Sequence, residues 1–191
     1  MSVRMHEWPR RHRITVEHYY RMAEAGLFAA GQRVELIDGE IIDVPPMGAR
    51  HAAALTKLAT LFAGAIEQRA ILRPQLPIHL GEDSEPEPDL ALVKPRADHY
   101  ESSHPTADDV LLLVEISDTT LRYDRDVKLA LYARHAVREV WIVDLTGEQI
   151  HFYRDPVDGK YATAVSTATF GRTPIAALGV TVDLSSLARS R

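Results

Sequence analysis

The chain is 191 residues long, 46% hydrophobic and 26% charged, with a formal net charge of −5 and no cysteine. That length suits one domain, 1–191, with a core of its own. The missing cysteines exclude disulfides, iron–sulfur clusters and thiolate zinc sites, and the acidic balance counts against binding nucleic acid by overall charge alone. No apolar run approaches the roughly 20 residues that span a bilayer. The basic start, MSVRMHEWPRRHR, has no apolar segment behind it and is not read as a secretory signal. A cytoplasmic location fits both facts. Arg10, Arg11 and Arg13 form one basic cluster, and Arg122, Arg125, Arg134 and Arg138 a looser one.

The pattern predicts a helix over Thr15 to Leu27, capped by Thr15 and ended near Gly26. Arg33 to Val44 reads as a hairpin, because Asp38-Gly39 between apolar runs is a tight-turn signal; Pro45 and Pro46 stop its second strand. His51 to Arg69 is a long helix, with Leu55, Leu58, Ala59, Phe62 and Ile66 at helical spacing. Leu72 to Leu80 reads as a strand, and the acidic, proline-bearing Gly81 to Pro88 as a loop. Leu90 to Val93, Val110 to Ile116 and Glu139 to Leu145 are short apolar runs, as expected of strands covered on both faces. Asp124 to His135 reads as a helix. Gln149 to Arg154 and Tyr161 to Ser166 flank a turn at Asp158-Gly159, giving a second hairpin, and a short helix follows Asp183. The order predicts an α/β fold: a mixed central sheet flanked by helices, with β-hairpins.

Two of these strands carry an acid that an apolar core would not choose. Asp89 opens its strand after Pro88, and Glu115 sits inside the run Leu111 to Ile116. A buried carboxylate is costly unless a cation meets it. Lys128, early in the next helix, and a metal ion are the candidates. Phosphodiester hydrolysis needs an activated water and neutralised phosphate charge; a divalent ion supplies both and prefers oxygen ligands. Two carboxylates and a lysine gathered at strand ends therefore suit a metal-dependent phosphodiesterase.

The segments VELIDGEIIDVPPMGARHAAAL (Val34 to Leu55), EPEPDLALV (Glu85 to Val93) and VEISDTTLRYDRDVKLALYARHAVREVWIVD (Val114 to Asp144) resemble the Uma-type restriction endonuclease family, a branch of the PD-(D/E)XK nuclease superfamily. The resemblance covers roughly Thr15 to Val182. It implies a restriction-endonuclease-like fold and a magnesium-dependent endodeoxyribonuclease, with manganese as an alternative ion, DNA as partner and a homodimer as the working form. Pro88-Asp89 matches the family's PD, and Glu115 the acid of the next motif. The superfamily's lysine would stand two residues later, where this chain has Ser117; Lys128 matches branches in which it has moved to the following helix. Glu35 matches an additional acid from the N-terminal part. Asp89, Glu115 and Glu35 would then hold the metal, and Lys128 would position the water and offset phosphate charge.

Each assignment has a plainer alternative. Asp89 can cap a turn, Glu115 can be an ion-pair partner, and Lys128 can be a solvated helix lysine whose replacement by alanine leaves the fold intact. Glu35 can face water, with Glu40 across the turn as its rival. His51, at a helix start, is read as structural with contact to substrate as the alternative, Asp124 and Asp126 as helix-start residues favoured by the macrodipole with a role supporting the site as the alternative, and Tyr132 and Trp141 as core. The nine histidines show no zinc-binding spacing. A non-catalytic module of the same fold, and a phosphoesterase acting on RNA or small phosphoesters, remain alternatives.

Overall fold

The computed structural model describes residues 11–188, so Arg10 of the basic cluster lies outside the described residues. Helix α1 spans Val16–Glu24, with the Thr15 hydroxyl accepting from the His18 amide. Strands β1 (Val34–Ile37) and β2 (Glu40–Asp43) form the expected hairpin. Its turn residues Asp38 and Gly39 both have positive φ, +50° and +72°, the geometry of a two-residue loop that follows strand twist. Helix α2 is Ala49–Ile66 and strand β3 is Ile71–Pro74.

Six strands make the central sheet in the order β3-β4-β5-β6-β7-β8, with β4 at Leu90–Val93, β5 at Val110–Ser117, β6 at Glu139–Asp144, β7 at Gln149–Val157 and β8 at Lys160–Ser166. Only β5 and β6 run parallel; the other neighbours are antiparallel. Their parallel pairing needs a helical crossover. It is supplied by α3 (Leu121–Tyr123), a π-helical turn over Asp124–Lys128 and α4 (Leu129–Arg134), which follow one another without a break.

Both faces of the sheet are covered, which is why its central strands read as continuous apolar runs. Ala54, Leu58, Phe62 and Ile66 of α2 lie on one face with Leu90, Leu112, Val114, Ile116 and Trp141. The Trp141 ring meets Phe62 and Phe152 edge-on, at 6.0 and 5.3 Å between centroids. On the other face, Leu131 and Tyr132 of α4 pack with Ala91, Val93, Leu113, Val140 and Ile142.

Three expectations are corrected. The strand expected over Leu72 to Leu80 ends at Pro74: Pro74 and Pro77 have no N–H to give a ladder, and Gln75 between them takes φ +48°. The crossover helix starts at Leu121, not Asp124. The tail holds a two-stranded ribbon, β9 (Arg172–Ile175) with β10 (Val180–Asp183), before the expected turn of helix at Ser185–Leu187.

Candidate active site

The antiparallel ladder sets Leu90 opposite Val114. One pair further along, Asp89 faces Glu115. Directly opposed residues put their side chains on one face, with Cβ atoms about 4.5–5.5 Å apart. Asp89 is tightly fixed: Oδ2 accepts from the Ile116 amide at 2.8 Å, Oδ1 is 2.8 Å from His51 Nε2, and its carbonyl accepts from the Gln75 amide. Glu115 Oε1 accepts from the Tyr132 hydroxyl and lies 3.4 Å from Lys128 Nζ. Lys128 donates to Glu35 Oε1 at 3.2 Å, closing a bond across 93 positions of sequence. Glu35, Asp89, Glu115, Lys128 and His51 all line one cleft of about 530 Å³, whose lining also includes the loop Val44 to Met47.

Burial governs the electrostatics. It pushes the Glu115 carboxyl up to about 8, against the pull of Lys128 and with Asp89 and Asp124 adding to the rise. Glu35 is raised too, burial again outweighing Lys128, and Asp124 likewise despite its bonds from Ser117 and Thr120. Burial works against charge on Lys128, but Glu115, Glu35, Asp124 and Asp89 overcome it and hold the ammonium protonated. The two partners thus pull apart: Lys128 is kept charged by Glu115, while Glu115 is driven toward its neutral form. The charge count explains both. Four carboxylates share this ammonium, so one cation cannot hold all of them ionised in a buried site. His51 is raised as well; burial would lower it, but Asp89 prevails.

The structure brings Asp89, Glu115, Lys128 and Glu35 together. Glu40, the rival of Glu35, is exposed and beside Arg11. Ser117 takes no part as a lysine substitute; its hydroxyl donates to Asp124 at 2.6 Å. Arg122 and Asp126 pair with each other on the exposed side of the helix. Sequence reasoning passed over three contacts. His51, read as structural, reaches Asp89. Asp124, read as a helix-start acid, faces inward. Tyr132, read as core, bonds Glu115; its position four residues after Lys128, on the same helix face, was a signal available in the sequence.

The donors are carboxylate oxygens, which suit a hard divalent ion, and the surplus of buried negative charge would be relieved by one. In donor type and charge the residues fit such an ion. Glu35 is engaged by Lys128, and among the described residues no three His, Asp or Glu side chains are already drawn together as a metal cage.

The comparisons with known proteins agree with this architecture. The family model described as "Uma2: Putative restriction endonuclease" matches residues 16–187. A solved structure, described as a putative nuclease belonging to DUF820 from Anabaena variabilis, superposes with a TM-score of 0.67 at 16% identity, covering 91% of this chain and 97% of that one. At that identity the likeness shows the fold. A search of the curated proteins finds no match.

Proposed function

Because this chain belongs to the Uma2 family of putative restriction endonucleases, we propose that it hydrolyses DNA phosphodiester bonds with a divalent metal ion, magnesium or manganese, in the Asp89–Glu115–Lys128 cleft. The observation that carries the proposal is the convergence of two opposed strand carboxylates with a lysine from the crossover helix. When bound, the ion supplies charge neutralisation at the phosphate and acidifies a water.

The chain's own residues do the rest. Asp89 and Glu115 hold the ion, and Glu35 assists from the hairpin. The Ile116 amide and His51 fix the rotamer of Asp89, and the Tyr132 hydroxyl fixes Glu115. Lys128 orients the attacking water and offsets the charge that grows on the phosphate. Two copies, one site per strand, would cut a duplex. Among the described residues no helix is long and apolar enough to cross a membrane.

The test is incubation of the purified protein with plasmid DNA, oligonucleotides and RNA, in magnesium, manganese or a chelator. Cleavage of DNA that the chelator abolishes, and that Asp89→Ala loses together with metal binding in calorimetry, is the expected result. Cleavage of RNA alone would move the substrate assignment. Binding of nucleic acid without cleavage would favour the non-catalytic module.

A further inference from the structure

Seven carboxylates line the cleft against two fixed cations, Arg33 and Lys128. A nucleic-acid backbone entering it meets mostly like charge, so the cations decide whether it can be held. Lys128 is committed: its buried ammonium holds Glu35 at 3.2 Å and Glu115 at 3.4 Å. Arg33 is not. Its one ion-pair contact is Glu87 Oε2 at 3.6 Å, outside hydrogen-bond length, and its guanidinium makes no hydrogen bond among the described residues.

The Arg33 carbonyl accepts from the Val44 amide, one pair beyond Val34–Asp43, so the residue continues β1 in register. Alternation then puts its side chain on the face of Glu35, two positions on. Glu87 precedes Asp89 by two positions, about 6.5 Å of extended backbone, and Pro88 favours that conformation at Glu87. The Arg33–Glu87 pair therefore lies one step outward from the buried site, where side-chain exposure has risen from 3% at Glu35 to 37% at Arg33. A guanidinium offers five N–H donors in a planar fork that fits phosphate bidentately. An ion pair this exposed is worth little in water, so exchanging Glu87 for a phosphate costs little. We propose that Arg33 anchors a DNA phosphate next to the scissile one, at the mouth of the cleft, with Glu87 holding the guanidinium in place until the strand arrives. Such a contact fixes the register of the strand and carries no base preference.

In placing that phosphate beside the cut, the subsite rests on the nuclease reading; the contact itself is read out by binding. Fluorescence anisotropy of a labelled DNA duplex in calcium, over a series of salt concentrations, measures it. Arg33→Ala should raise Kd about tenfold on unrelated sequences alike, and should lower the slope of log Kd against log salt by about one. Arg33→Lys, which keeps the charge and loses the fork, should keep the slope and recover part of the affinity. Arg172→Ala, which removes the same charge from β9, should change neither. Tm should move by less than about 3 °C in Arg33→Ala, because the Glu87 pair is exposed; Arg33→Gln replaces it should the alanine variant not fold. Kd and slope equal to wild type in Arg33→Ala, or equal losses in Arg33→Ala and Arg172→Ala, would overturn the anchor. With cleavage in magnesium intact, that result leaves the nuclease reading standing. Arg33-dependent binding by a wild type that cuts nothing keeps the anchor and removes the nuclease reading. A wild type that neither binds nor cuts DNA sinks both.

Discussion

At the scale of single residues the site is a problem of buried charge. The sequence marks Lys128 as a catalytic candidate but, as a helix-start lysine, one that contributes little packing, so that Lys128→Ala should abolish cleavage and leave the fold intact. The structure corrects this: Lys128 is 7% exposed and bridges two buried carboxylates. Removing one partner of a buried pair leaves the other uncompensated. Lys128→Ala should therefore abolish cleavage and also cost about 3 kcal/mol of stability above neutral pH. The penalty should shrink near pH 5, where the orphaned carboxyls can take up protons; a variant as stable as wild type in urea titrations at both pH values would refute the burial argument. His51 offers a gentler test. It orients Asp89 through one contact of 2.8 Å, and partners of this kind are worth about 10–100-fold in metal affinity or activity. His51→Ala should lower cleavage by about that factor, with His51→Gln retaining more, and an unaffected His51→Ala would return the residue to a structural role.

At the scale of elements, each functional side chain depends on a local device. Glu35 is placed by the β1–β2 hairpin, whose turn glycine, Gly39, has φ +72°; a Cβ there would stand 2.5 Å from Arg13 Cβ. Gly39→Ala should thus cost about 1–3 kcal/mol, through strain and clash together. It should also weaken cleavage, by loosening Glu35 and through it Lys128. A chemical-denaturation midpoint equal to wild type would show that the turn does not constrain the hairpin. This hairpin was plainly legible, since Asp-Gly between apolar runs has one cheap solution. So were the central strands, whose unbroken apolar runs report burial on two faces, and the pairing of Asp89 with Glu115, whose carboxylates were out of place in apolar strands. The π-helical turn over Asp124–Lys128 was not legible. It is marked by the Leu129 amide bonding the Asp124 carbonyl, and it turns Asp124 and Lys128 inward together while Arg125 and Asp126 remain exposed. No local sequence rule distinguishes DRDVK in a π turn from the same residues in an α-helix; tertiary ion pairing decides. The ribbon of β9 and β10 escaped for a similar reason. Its strands have four residues each, too few for alternation to stand out, and its stability comes from packing against α2 in the core.

At the scale of the whole molecule, the net charge of −5 argues against binding nucleic acid by a uniform field, and under the proposed function the buried acids would answer to a metal ion instead. The acids Glu35, Glu115 and Asp124 are all raised in the folded state by burial. A raised group contributes stability that is fully present below its ordinary value and is lost as pH climbs through the folded value. For Glu115 that window runs from 4.5 to about 8. His51, also raised, acts in the same sense above its ordinary value of 6.5. Asp98 and Asp183, lowered chiefly by hydrogen bonds from Arg96 and Ser185, act in the opposite sense only at acid values below the window. His135 and His151, lowered by burial, oppose the trend within it, below their ordinary value of 6.5, and offset part of the loss. The metal-free protein should therefore lose stability between about pH 5 and pH 8.5, by roughly 2 kcal/mol or about 5 °C in Tm. Millimolar magnesium should recover most of that loss near pH 8.5 and change little near pH 5, because a bound ion stabilises only the state that binds it and must displace protons from the acids at low pH. Glu115→Gln should flatten both responses. Differential scanning calorimetry with and without chelator measures all three, and a magnesium effect equal at the two pH values, or intact in Glu115→Gln, would place the ion away from the Asp89–Glu115 pair.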